Sequence, residues 1–487
     1  MAVSQKATVY LVQAAASAVL KSGHDITQIA SLTPPLGLLS IAAYLEQRGL
    51  STRVFDFNAF PDSLDEFRQA LAGDRPPVVG ISCVTSTFNG GIAIAEAARA
   101  ACPGVRVVFG GPHVSALREK VLERFPQIDA CVVGEGEETF YRYISDPSTT
   151  NLPGMVLRGP DGSVHFTGFS DSRLELDKLP YPAYGKLRGF PEKYQLPIFT
   201  YPKPPSMSII SSRGCPYSCS YCDRSVFGAS FRCNGADYVY EHMKHLRDAY
   251  GIRHLMFYDD QFTFSRKRTV ALCRKLIDAP LKMTFNCSVR AEHVDAELLA
   301  LMKKAGCWMI SLGVETGDPE LLAQHRKNAD MEMLAECIRS IKRCGMHVKA
   351  LLMMGLPGES PESIRRSREY VFSLPMDAFN VAKFTPFPGS PLYEKVRDRG
   401  EFEEDWDKMD CMSFQFIPQG FTREELETAH KAFYRDHFKR PSVWWNYAKM
   451  AWKSPDSYRR FFLQSGAFIR FALTGKVRYN SDRRAKS

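Results

Sequence analysis

Three cysteines set the chemistry available to this chain. Cys215, Cys219 and Cys222 stand at x3 and x2 spacing in the run Arg213-Gly214-Cys215-Pro216-Tyr217-Ser218-Cys219-Ser220-Tyr221-Cys222. A loop that short, opened by glycine and proline, can turn all three thiols toward one point. Thiolates are soft ligands, suited to iron–sulfur clusters or to zinc. A structural zinc or a plain electron-transfer cluster takes four protein ligands. Three protein ligands on a four-iron cluster leave one iron open to a substrate or cofactor. On spacing alone, a zinc loop whose fourth ligand lies elsewhere remains the alternative.

The elements that must position this loop alternate between strand and helix, twice over. Strand-like runs fall at 7–12, 52–57, 78–84, 105–109 and 130–133, with helical apolar spacing at 36–48, 92–101 and 115–125. The run 78–84 is almost wholly apolar, as in a strand covered on both faces. This alternation predicts a parallel, doubly wound sheet with its ligand beyond the carboxyl ends of the strands. That rim would collect Thr85, Ser86, Gly110, Gly111, Pro112, His113, Gly134, Glu135, Gly136 and Glu137. Neither G-x-G-x-x-G after the first strand nor a G-x-x-x-x-G-K phosphate loop is present. Residues 141–200 read as a connection, with a β-hairpin turning on Pro160-Asp161-Gly162 and a proline-rich stretch at 179–184. Alternation resumes at 205–392 and makes six strand–helix units, too few for an eight-fold barrel. Polar residues gather at these strand ends: Asp259, Asp260, Ser288, Arg290, Glu315 and the turn Gly355-Leu356-Pro357-Gly358-Glu359.

The chain has 487 residues, 45% hydrophobic and 24% charged, enough for two or three domains with real cores. It carries no run of eighteen apolar residues and no secretory leader pattern, so a cytoplasmic location is expected. Thirteen cysteines there do not suggest a disulfide framework. Those outside the triad read as small buried apolar residues. The net charge is +9, and residues 439–487 hold twelve Lys or Arg against two Asp, so the tail carries the excess. Trp444, Trp445, Tyr447, Trp452, Phe461, Phe462, Phe468 and Phe471 are interleaved there with Lys449, Lys453, Arg459, Arg460 and Arg470. A helical cap on the barrel is the plain reading of that mixture. Peripheral contact with the inner face of a membrane comes next, and nucleic acid last, since no RNA-binding module is visible.

Cys-x3-Cys-x2-Cys with Tyr221 just before the last cysteine resembles the signature of the radical S-adenosylmethionine (radical SAM) superfamily. The resemblance implies a [4Fe-4S] cluster on Cys215, Cys219 and Cys222, with SAM on the open iron and a partial (β/α)6 barrel. One electron, from a donor such as flavodoxin or ferredoxin, then yields a 5′-deoxyadenosyl radical. It also implies a SAM site around Tyr221, Asp259, Asp260, Ser288, Arg290, Glu315, Gly355 and Pro357. Arg290 would clamp the carboxylate, and one of the two aspartates would meet the amine, since adjacent strand residues face opposite ways.

The N-terminal third, through 33–39, 80–82, 110–113 and 134–137, resembles the cobalamin-binding domain of one radical SAM class. That implies cobalamin bound near Pro35, Leu36, Thr85, Ser86, Gly110, Gly111, His113, Gly134, Glu135 and Gly136. The D-x-H-x-x-G motif that supplies a lower cobalt ligand is missing, and Gly23-His24-Asp25 is not that pattern. His113 is read as shaping its turn, not as a metal ligand. The expected layout is a Rossmann-like cobalamin domain (1–145), a linker (146–200), the barrel (201–395) and a helical C-terminal region (396–487). The resemblance favours C-methylation of an unactivated carbon through methylcobalamin and the deoxyadenosyl radical. A non-methylating oxidative cyclase or rearrangement enzyme is the rival, and a cobalamin- or redox-sensing binding protein the second. The aromatic, basic tail is compatible with a lipid or tetrapyrrole substrate.

Overall fold

A computed structural model describes residues 8–22, 32–171, 173–325, 327 and 329–463. His24, and Phe468, Arg470 and Phe471 of the tail, lie outside the described residues.

The first sheet has strands β1 (Thr8–Gln13), β2 (Ser51–Asp56), β3 (Val78–Ser82), β4 (Arg106–Gly110), β5 (Ala130–Val132), β6 (Met155–Arg158) and β7 (Val164–Phe166). Their spatial order is β2-β1-β3-β4-β5-β6-β7. The first five pair in parallel, and β6 and β7 add antiparallel. The hairpin expected at Pro160-Asp161-Gly162 forms, and it makes the edge of this sheet instead of a free connector. Apolar side chains fill both faces. Tyr10, Val12, Val79, Ile81 and Phe109 pack one side, and Val9, Leu11, Val108, Ala130 and Phe140 the other. This is why β3 reads as continuously apolar.

Three helices, Ser17–Ser22, Leu64–Asp74 and Glu137–Ser145, were not anticipated from the sequence. The helix expected over 115–125 is instead two short ones, Pro112–Leu117 and Glu119–Arg124. They break at Arg118, whose φ of 48° no helix accommodates.

The second sheet holds β8 (Ser206–Ile209), β11 (His254–Phe257), β12 (Thr284–Val289), β13 (Cys307–Glu315), β14 (His347–Met354) and β15 (Ala378–Lys383), neighbours in that order and all parallel. Between β8 and β11, the two-residue strands β9 (Ser212–Arg213) and β10 (Arg232–Cys233) pair antiparallel and close the base of the cysteine loop. The helices between strands start on strong caps: Asp295, Asp318, Asp330 and Ser360 each accept first-turn N–H groups. A small hairpin, β16 (Gly400–Phe402) with β17 (Phe416–Pro418), precedes the C-terminal helices Arg423–Phe438 and Pro441–Lys453.

Candidate functional site

The cysteine loop is fixed from three directions. At its entry, the buried carboxylate of Asp259 accepts from Ser211 N–H (2.6 Å), Ser211 Oγ–H (2.6 Å) and Ser212 N–H (3.0 Å), with Arg268 at 3.6 Å. Gly214 has φ 83°, and a Cβ there would lie 1.9 Å from the Ser230 carbonyl oxygen, so only glycine passes. At mid-loop, Ser220 N–H donates to the His325 carbonyl (3.1 Å), and its oxygen accepts from Leu392 N–H (3.1 Å). His325 Nε2 lies 2.9 Å from the Pro357 carbonyl, which can only accept, so Nε2 carries the proton. Nδ1 then accepts from Ser220 Oγ–H at 2.9 Å. One imidazole thus ties the cysteine loop to the Gly-Leu-Pro-Gly turn. At the far end, Arg224 donates to the Tyr217 carbonyl (2.7 Å), and Asp223 accepts from Ser225 N–H (2.8 Å).

The three thiols are partly buried. Burial, the nearby Asp260 and the other two thiols push Cys222 up to about 12, and burial raises Cys215 too. Such thiols ionise when a metal centre supplies the compensating charge. Among the described residues, no three His, Cys, Asp or Glu side chains close on one ion's coordination shell, while the three thiols lie near enough to raise Cys222 together. A cubane asks for one thiol per iron, not for three thiols on one ion, and three cysteines on one short loop suit that demand.

Asp260, Ser288, Arg290, Glu315, Gly355 and Pro357 lie at or just past the carboxyl ends of β11, β12, β13 and β14, and Tyr221 lies in the cysteine loop. Asp259 must be corrected. Its carboxylate is buried and occupied in holding Ser211, Ser212 and Arg268. Asp260 is exposed and stands beside Cys215 and Cys222. Arg290 lies 3.9 Å over the Tyr217 ring and donates to Glu292 at 2.7 Å. Glu315 sits at a bulge in β13 with φ 62°, an uncommon conformation for a non-glycine residue. Its partner Lys327 (2.6 Å), which also donates to the Gly313 carbonyl (2.7 Å), had no sequence signal. A Cβ on Gly313 would lie 2.5 Å from Glu315 Oε1, so glycine there leaves room for the pair.

Opposite this rim, a cavity of about 330 Å³ opens at the carboxyl ends of β3, β4 and β5. Leu36, Gly110, Gly111, Gly134, Glu135 and Gly136 line it, and Arg213, Val226 and Phe227 close it from the barrel side. Three of its glycines leave open space where a side chain would stand. An ideal Cβ meets nothing within 4 Å at Gly37, only Val132 (from 3.8 Å) at Gly110, and only the Val226 carbonyl oxygen (3.5 Å) at Gly134. Bare backbone of this kind, over an aliphatic slot, fits a broad ring such as a corrin.

Four of the residues expected around cobalamin need correction. Pro35, Thr85, Ser86 and His113 do not line the cavity. His113 is 1% exposed, caged by Phe88 (4.4 Å) and Trp406 (4.6 Å), with Nδ1 3.2 Å from Thr85 Oγ1. Burial pushes its pKa down to about 3, so it stays neutral packing. Glu135 lines the cavity but spends its carboxylate on arginines of the barrel. Arg213 reaches Glu135 (2.5 Å) and Glu137 (2.6 Å), Arg232 reaches Glu135, and Ser40 donates to Glu137 (2.7 Å). This buried network fastens the first domain's rim two residues ahead of Cys215.

Residues 25–144 match the B12 binding domain family, and residues 209–371 the radical SAM superfamily. The chain is 26% identical to an uncharacterized methyltransferase of Pyrococcus horikoshii, covering 84% of this chain and 89% of that protein. It is 27% identical to the anaerobic magnesium-protoporphyrin IX monomethyl ester cyclase of Rubrivivax gelatinosus, over 93% and 82%. Its fold is similar to that of the radical S-adenosylmethionine methyltransferase TsrM from Kitasatospora setae, with TM-score 0.64, 20% identity, and coverage of 81% and 75%. The cofactors of this pair of domains are cobalamin, a [4Fe-4S] cluster and SAM. The chain thus carries a B12-binding domain ahead of a radical SAM domain and belongs to the cobalamin-dependent radical SAM enzymes.

Proposed function

We propose that this enzyme methylates an unactivated carbon of a small molecule. When bound, cobalamin supplies a methyl group, and the cluster with SAM supplies a radical that removes hydrogen. One observation carries the reading: the two cofactor rims are fastened face to face. Arg213, two residues before Cys215, is paired with Glu135 and Glu137 at the cobalamin rim, and Val226 and Phe227, just past Cys222, wall the cobalamin cavity. A substrate between them would meet both cofactors at once.

The chain's own residues have positioning work. Cys215, Cys219 and Cys222 would hold the cluster, and Asp260, Arg290 and Glu315 offer charges for the two ends of SAM. Pro357 and Gly355 present backbone beside them. The buried network around Arg213 shields the junction from water, which strengthens every charge inside it.

The rival, oxidative cyclisation without methyl transfer, draws on the likeness to the cyclase. Anaerobic incubation of the reconstituted enzyme with labelled SAM and candidate extracts separates the two. Methylation gives S-adenosylhomocysteine together with deoxyadenosine and a methylated product. Deoxyadenosine without S-adenosylhomocysteine would sink the methylation reading.

Peripheral membrane contact is the second part of this proposal. Among the described residues, no helix is long and apolar enough to cross a membrane. The helix Pro441–Lys453 buries Val443 and Met450 but exposes Trp444 (60%), Trp445 (62%) and Trp452 (84%), with Lys449 over the Trp445 ring. Tryptophans beside lysines suit an anionic headgroup layer. Met450 packs on Trp308 and Met309 at the start of β13, so such contact would leave the cysteine rim facing away. Liposome co-sedimentation unchanged by W444S/W445S/W452S would end this part.

A further inference from the structure

A second cavity, of about 700 Å³, opens beside the first and shares Gly134, Glu135, Val226 and Phe227 with it. Its walls carry four arginines from four separate segments. Arg118 comes from the break between two short helices, and Arg173 from the stretch after β7. Arg224 follows the last cysteine by two residues, and Arg232 lies on β10. The one carboxylate in the lining, Glu135, is already shared between Arg213 and Arg232. The lining therefore has a surplus of positive charge.

Most of that charge is uncommitted. Among the described residues, neither Arg118 nor Arg173 has a carboxylate partner. Arg118 only rests against the rings of Phe166 (5.2 Å) and Phe169 (5.8 Å). Arg224 donates to a backbone carbonyl, and Arg232 Nε is buried without a hydrogen-bond partner. Arg118 also holds φ 48°, a strained conformation that the surrounding fold must enforce. Guanidinium groups lining one cavity are fork-shaped donors matched to carboxylate and phosphate oxygens. The cavity has the volume of a small-molecule site.

We propose that this cavity binds the acidic group of the substrate, a phosphate, phosphonate or carboxylate, and so holds the substrate's reacting part at the junction of the two cofactor rims. That the anion belongs to the substrate rests on the reading given under Proposed function. The capacity to bind an anion does not. The phosphodiester of cobalamin is the other source of such a group, and the experiment separates the two.

The full chain, reconstituted with its cluster and loaded with cobalamin, is dialysed anaerobically at low ionic strength against radiolabelled inorganic phosphate. The expected result is saturable binding of one phosphate per chain. It weakens tenfold or more in R118Q/R173Q and is largely kept in R118K/R173K, while cobalamin affinity stays unchanged in both. Absence of saturable binding, or equal binding in R118Q/R173Q, overturns the proposal. It is also overturned if phosphate binds only to the cobalamin-free chain, or if R118Q/R173Q loses cobalamin affinity but keeps affinity for cobinamide, which lacks the phosphodiester. A chain that binds phosphate as expected yet forms no deoxyadenosine from SAM would condemn the radical reading and leave the anion site standing.

Discussion

The two rims that face each other in this protein are built on opposite principles. The barrel rim is polar and locked: Asp259, His325 and Lys327 each tie separate segments together through the protein's own groups. The cobalamin rim is mostly bare backbone and aliphatic surface, with glycines where side chains would intrude. A cluster and a zwitterionic cofactor need charges at set positions, and such charges must be preorganised. A broad, flat ring needs area and close approach, which glycine supplies at the cost of specific contacts. The one place where the second rim is strongly polar, Glu135 and Glu137, is where it meets the first.

The hardest break in this contrast is Cys219→Ala. Iron and sulfide content should fall to background and deoxyadenosine formation should vanish, while cobalamin still binds the other rim. Retained SAM cleavage would remove the assigned role of the cysteine loop. Arg213→Met tests the join. It strands Glu137, whose side chain is 5% exposed, with Ser40 as its one remaining side-chain donor among the described residues, and should cost about 3–5 kcal/mol in chemical denaturation. Pairing it with Glu137→Met should return much of the loss. If the single change costs under about 1 kcal/mol, the network does not hold the domains.

Gly110→Leu sharpens the other side. The backbone accepts a Cβ there, so the fold and cluster content should survive. The added side chain would fill the cavity and weaken cobalamin binding by about tenfold, equivalent to about 1.4 kcal/mol, in equilibrium titration. Unchanged affinity would place the corrin elsewhere.

The smallest effect, at acid pH, is expected at Glu359, which accepts from Gly355 N–H under the barrel rim. Burial pushes its carboxyl up from 4.5 to about 8, so it is largely protonated at pH 7. A folded value above the unfolded one gives stability that is full below about 4.5 and lost as pH rises through about 8. Glu359→Gln should therefore change stability by less than about 1 kcal/mol below pH 4.5, where the parent acid is protonated in both states, and flatten the decline that the parent shows between about pH 4.5 and 8. A variant with the same pH slope as the parent in urea melts would refute the buried, protonated acid.

What the sequence determined by itself was everything written in local spacing. The cysteine triad, the alternation of strands and helices, and the glycines at 110, 111, 134 and 136 are periodic or contiguous signals, and the alternation gave the two parallel sheets, though not every helix between their strands. The six barrel strands follow chain order, so their neighbours needed no long-range knowledge. Tertiary structure alone decided how the polar residues were spent. Asp259 and Asp260 are adjacent and chemically identical, yet one is sealed beneath the loop and the other faces the thiols. His113 lies on the expected rim but is caged by Trp406, nearly three hundred residues away. The partners of Glu135 and Glu137 come from another domain, and Lys327 reaches Glu315 through a bulge. Periodicity records which face of an element is buried. It carries no record of which distant charge will stand opposite, and that pairing is what separates a structural acid from one free to meet a cofactor.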